Sequence, residues 1–215
     1  MKYVIGLVLA VFATMPVIAQ EVMLFKDFAF GSKVSEFSEN KGFYDCSEEI
    51  GSRAQCKEDI KFLDHDFFQV LIFIEGRLRF VRLATEFEAT LFQRTINAMV
   101  SQKFVLVGLQ NGVERLDVLE LLHRGKGDVD SKVQEFESIG LNGNGLTYMF
   151  MEAPATALQR SRNLGELLRH MPENSREVDV EVATEDGVTY LRIDFTAPKR
   201  AIKEFQNAPI KVEKF

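Results

Sequence analysis

Residues 177–196 constrain this chain most. Val178, Val180 and Val182 alternate with Glu177, Asp179 and Glu181; Asp186-Gly187 follows; then Leu191, Ile193 and Phe195 alternate with Arg192 and Asp194. Period-two alternation on both sides of a two-residue turn is the pattern of a β-hairpin with one buried and one wet face. A chain that holds such a hairpin needs an antiparallel sheet and apolar material to cover one side of it.

Other segments fit the same plan. Phe67 to Ile74 is nearly all apolar and rich in β-formers, so it reads as a strand buried on both faces. Glu75-Gly76 is a turn, and Arg77 to Leu83 returns as the second strand of a hairpin. Glu86 to Phe104 is an amphipathic helix with Leu91, Phe92, Ile96, Met99 and Val100 on one side. Phe25 to Gly31 reads as a short strand, and Ser32 caps a short helix through Asn40. Val105 to Leu109 is a strand closed by Asn111-Gly112. Val113, Leu116, Leu119 and Leu122 then recur every three residues, which predicts a helix ending near His123. Val129 to Leu141 fits strand or helix. Asn142 to Gly145 is a turn before a strand at Leu146 to Met151. Pro154 opens a helix that Pro172 stops, with Leu158, Leu164, Leu167, Leu168 and Met171 on its buried side. A last short helix runs from about Pro198 to Phe205.

Strands in antiparallel pairs, with helices between the pairs, define an α+β fold: sheet hairpins with helices packed on one face. Helix-plus-hairpin units near 32–83 and 155–196 raise the question of two similar modules. The linker-like Glu152-Ala-Pro-Ala divides an α+β domain over 20–152 from a C-terminal helix-plus-hairpin module over 153–215, unless both belong to one domain.

The N-terminus sets the compartment. Met1-Lys2-Tyr3 carries one charge, Val4 to Val11 is apolar apart from Gly6, and Pro16-Val17-Ile18-Ala19 puts small or medium residues where a cut after Ala19 requires them. That is a cleaved signal peptide over 1–19; its apolar core is short for a span, which takes about 20 residues. The expected product is a periplasmic protein with no stable membrane span. Cys46 and Cys56, the only cysteines in the chain, are expected to pair there as a structural disulfide. Nine intervening residues do not match the Cys-x-x-Cys of a redox pair. His65, His123 and His170 are too scattered to complete a zinc site with them.

Composition narrows the function classes. With 46% apolar and 27% charged residues the chain is globular, and a net charge of −6 argues against a nucleic-acid partner. Arg77, Arg79 and Arg82 lie on one strand, the first two on one face by period two. They fit an anion or acidic partner, or a solvated ladder paired with carboxylates across the sheet. Glu177, Asp179 and Glu181 share a face and could collect a cation, in a geometry poor for calcium. Asp64-His65-Asp66 brings a histidine between carboxylates, but neighbours on extended backbone point apart. The basic loop His123 to Gly127 follows a helix instead of opening one and lacks the Walker pattern, so it reads as a helix end. No catalytic motif, metal set or cofactor site is read from the sequence.

Phe28-Ala-Phe-Gly-Ser-Lys-Val-Ser-Glu-Phe37 resembles the opening of small periplasmic α/β modules, in which a strand leads into a short helix and then a hairpin. The group includes the SmpA/OmlA-like outer-membrane assembly lipoproteins and the β-lactamase-inhibitor-protein fold. The match covers these ten residues and, in element order, extends to Leu83; the lipid-bearing cysteine of the lipoproteins is missing. The resemblance implies a module that binds proteins. The expected function is therefore non-catalytic protein contact in the cell envelope, in assembly, inhibition or an accessory role. The alternatives are a carrier or sensor of a small apolar ligand and a hydrolase with an unrecognised site.

Overall fold

The computed structural model describes residues 21–112, 114–125, 129–143 and 145–207. The expected signal segment lies outside them. The chain is a mixed α+β protein with antiparallel sheets. It opens with a small hairpin, β1 (Met23–Phe25) and β2 (Phe28–Ala29), where a single strand was expected. The reason is the turn: Lys26 adopts a left-handed φ of 46° and reverses the chain. The short helix expected over 32–40 is two 3-10 turns, Val34–Glu36 and Glu39–Lys41.

Then come β3 (Tyr44–Asp45), α1 (Ser47–Ile50), β4 (Ala54–Phe62), β5 (His65–Ile74), β6 (Arg77–Glu86) and α2 (Ala89–Ser101). After α2 lie β7 (Val105–Asn111), β8 (Glu114–Asp117), α3 (Val118–Arg124) and α4 (Val129–Leu141). The helix expected from Val113 to His123 thus begins as a strand. Asp117 ends that strand and caps α3, its Oδ1 accepting from the Glu120 amide at 3.0 Å. The segment that fitted strand or helix is α4. The chain finishes with β9 (Leu146–Met151), α5 (Ala155–Gln159), α6 (Leu164–His170), β10 (Glu177–Glu185), β11 (Val188–Thr196) and α7 (Pro198–Asn207). One helix was expected where α5 and α6 stand. Asn163 starts the second by accepting the Glu166 amide at 2.9 Å.

Nine strands form one sheet in the order β3-β4-β5-β6-β11-β10-β9-β7-β8, every neighbouring pair antiparallel. Both long hairpins turn through left-handed residue pairs, Glu75-Gly76 and Asp186-Gly187, which match the natural twist of the strands. The two hairpins are neighbours: β6 pairs β11, with Leu83 opposite Ile193 and Val81 opposite Phe195. The hairpins of both expected modules therefore share one sheet.

The main core lies on one face. Val178, Val180, Leu191, Ile193, Phe195, Val81 and Leu83 point into it from the sheet. Leu91, Thr95 and Met99 of α2 cover them, with Val133 and Phe136 of α4 and Leu24, Phe25 and Phe30 near the N-terminus. Val100, expected on the buried side of α2, is 60% exposed; Thr95 is buried instead, its hydroxyl satisfied by the Leu91 carbonyl at 2.9 Å.

Candidate binding face

The opposite face carries two smaller cores, one towards each end of the sheet. Cys46, Ala54, Cys56 and Val70 form the first, with Ile50 of α1 and the half-buried Phe68 and Ile72. The expected disulfide is present between Cys46 and Cys56, whose Cα atoms are 5.8 Å apart, and both residues are buried. It ties α1 to β4 as a shelf over β4 and β5. The second core joins Met149 and Met151 of β9 and Val107 of β7 to Leu119 of α3, Ala157 of α5, and Leu164 and Leu167 of α6.

Between these ends run β6, β11 and β10. Their side chains alternate, so those not in the main core share the other face. They are Phe80, Arg82 and Ala84 from β6; Tyr190, Arg192, Asp194 and Thr196 from β11; and Glu177, Asp179 and Glu181 from β10, all half-buried. Arg82 stands opposite Asp194 and grips it with two hydrogen bonds of 2.7 Å each. That bond to Asp194 raises the pKa of the Arg82 guanidinium. Arg192 pairs with Glu185 and, at 3.6 Å, with Glu181, while lying over the Tyr190 ring at 5.7 Å.

Asp179 is different. It stands opposite Asp194, on the same strand face as Glu177 and Glu181. Its Oδ1 is buried without a hydrogen-bond partner. Burial first, then the charges of Glu177, Asp194 and Glu181, push its pKa up to about 8 against the opposing pull of Arg115. Burial also raises the pKa of Glu177, again opposed by Arg115. Arg115 itself lies against Met149, Nη2 to Sδ 3.0 Å.

The arginines singled out in the sequence do not form one group. Arg77 is exposed and donates to the Gly31 carbonyl at 3.1 Å. Arg79 is the extra residue where β6 slips against β5, which breaks the period-two relation between Arg77 and Arg79. Its guanidinium covers the Phe30 ring at 4.7 Å and pairs with Glu204 at 2.5 Å. Of the three, Arg82 belongs to the face just described.

Asp64, His65 and Asp66 diverge. Asp64 lies in the β4–β5 turn, His65 approaches Thr85 Oγ1 at 3.3 Å, and Asp66 pairs with Lys61 at 2.6 Å. Among the described residues no group of three or more His, Cys, Asp or Glu could hold a metal ion. His123 and Arg124 end α3, and Gly125 caps it with a left-handed φ of 61°; Lys126 and Gly127 lie outside the described residues.

One polar pair went unread in the sequence. Ser161 Oγ lies 2.7 Å from the Ala157 carbonyl and 3.0 Å from His170 Nδ1. The hydroxyl is within reach of both, and which partner donates in the His170 contact depends on the imidazole tautomer. Ser161 is fully buried, and the pair clasps α5 to the end of α6.

A scan of family models, a search of curated proteins and a search of solved structures each found no match. No helix among the described residues is long and apolar enough to cross a membrane.

Proposed function

We propose that this is an exported protein that works through protein–protein contacts, and that the face over β6, β11 and β10 makes them. The observation that carries this reading is the mix of side chains there. Phe80 is half-buried and lies outside all three apolar clusters, beside Arg82, Tyr190 and Arg192. Aromatic rings and arginines held on a rigid sheet are the residue types that dominate binding energy at protein interfaces. The shelf and the helical core rise on either side, so a partner segment would seat between them. Export is supported by the N-terminal segment, with its cut after Ala19, and by a disulfide that suits an oxidising compartment such as the periplasm. The resemblance of residues 28–37 to envelope modules points to the same type of work: assembly, inhibition or an accessory role.

The test places a photo-crosslinking phenylalanine analogue at Phe80 in the full chain, in its own cells. We expect one dominant protein adduct, lost when Arg192→Glu is added. The same probe at Val100, across the sheet on α2, should give none. Identical adduct patterns from both positions, or none from Phe80, would overturn the reading.

A further inference from the structure

We infer, independently of the docking face above, that α7 is a membrane-surface anchor whose outward side seats shallowly in a bilayer carrying anionic headgroups. A surface helix normally turns its apolar side to the core. α7 does the reverse: polar side chains tie it to the body. Lys199 Nζ donates to the carbonyls of Arg169, at 2.7 Å, and Met171, where α6 ends. Lys203 grips Glu173 with bonds of 2.7 and 2.8 Å. Glu204 pairs with Arg79 at 2.5 Å. Of its apolar side chains, the small Ala201 packs against the main core. Ile202 and Phe205, three apart and so on one side of the helix, are 45% and 84% exposed. No large apolar side chain among the described residues is more open than Phe205.

Positive charge surrounds this open side. Glu173 is one carboxylate facing three cations: Lys203 bonds it, and Arg200 and Lys199 act on it through space. The bonds of Lys199 go to neutral carbonyls and leave its charge unbalanced. The excess continues along the chain. Residues 198–215 carry five basic side chains, Lys199, Arg200, Lys203, Lys211 and Lys214, against two acidic, Glu204 and Glu213, in a chain whose net charge is −6.

Exposed aromatic and aliphatic side chains flanked by excess positive charge hold amphipathic helices at the boundary between headgroups and acyl chains. Anionic headgroups balance the charge. A second copy of the chain fits less well, because it would set one basic helix against another. A folded protein partner also fits less well: Ile202 and Phe205 offer a small part of the about 1,200 Å² that a specific interface buries. The helix lies on the bilayer and does not cross it, since its 10 residues reach about 15 Å against about 30 Å of hydrocarbon.

The experiment uses the chain from Gln20 onward, which holds every described residue and omits the apolar N-terminal segment that would bind lipid by itself. The chain has no tryptophan, so Phe205→Trp supplies a single reporter. The vesicles are equal parts phosphatidylcholine and phosphatidylglycerol, with phosphatidylcholine alone as the control. We expect the reporter's emission to move to shorter wavelength with the anionic vesicles, to stay unmoved with the neutral ones, and to return at high salt. In vesicle flotation, Ile202→Asp combined with Phe205→Asp should cut partitioning at least tenfold. Its melting temperature should not change, because both side chains already face water. Unmoved emission with the anionic vesicles, equal responses to both vesicle types, or a lipid-free dimer that Phe205→Asp dissociates overturns the inference. So does a dominant protein adduct from the photo-crosslinking analogue placed at Phe205 in cells. The Phe80 crosslink reads the other face and stands or falls separately.

Discussion

Gln69 sits in the middle of β5 with no exposed surface, and neither its Oε1 nor its Nε2 has a hydrogen-bond partner. A buried polar group left unpaired costs about 1–3 kcal/mol. Gln69→Leu should therefore raise stability by about that much, read as a higher urea midpoint with an unchanged slope. A lower midpoint would mean that the amide has a partner after all. Asp179 gives a pH-dependent counterpart. Folded, it holds its proton up to about 8; unfolded, it ionises in the ordinary carboxylate range. Between those values the folded state binds more protons, so stability falls as pH rises and levels off above about 8. Asp179→Asn should gain about 1–3 kcal/mol over the natural protein at pH 8 and much less near pH 4; urea unfolding at both values checks this. Much of this was countable in the sequence. Period two puts Gln69 with Phe67, Leu71 and Phe73 on the buried side. Counting back from the Asp186-Gly187 turn puts Asp179 opposite Asp194. What could not be counted is Met149, Arg82 and Arg115, which arrive from strands that sequence does not assign as neighbours.

At the level of elements, the disulfide holds the shelf. Cys46→Ser should lower stability by about 2–3 kcal/mol, the loop entropy returned to the unfolded chain, and thermal melting under non-reducing conditions measures it. A loss below 0.5 kcal/mol would show that α1 is held without it. Elements were legible where local signals agreed. The long hairpins combine alternation with a two-residue turn, and α2 has a clean apolar stripe. β4 was unread because Lys57, Glu58, Asp59 and Lys61 swamp its alternation and a slip between Lys57 and Ile60 breaks its period. β8 was read as helix because Leu116 and Leu119 fit a three-residue spacing, although a strand end and a helix start lie between them.

At the scale of the molecule, the seam between β6 and β11 joins residues 112 positions apart, as Arg82 and Asp194 show. A fragment ending at Glu152 would strip β10 and β11 from the sheet, split it in two, and leave β6 and β9 each with one open edge. It should fail to fold and aggregate, while the full chain unfolds in one transition seen alike by far-ultraviolet circular dichroism and tyrosine fluorescence. Two separate transitions, with a soluble folded fragment, would show two independent units. The strand order that creates this dependence is non-local, which is why sequence gave the hairpins but not their arrangement. The ends of that order have a consequence of their own. Sheets recruit foreign strands through open backbone at their margins. Here the outermost strands are β3, two residues long, and β8, four. The part of β4 that β3 leaves uncovered carries Lys57, Glu58, Asp59 and Lys61 and is kinked by its slip. β7 is likewise irregular at Val107, beyond the reach of β8. Such margins repel strand addition, so concentrated protein should not template fibres of itself.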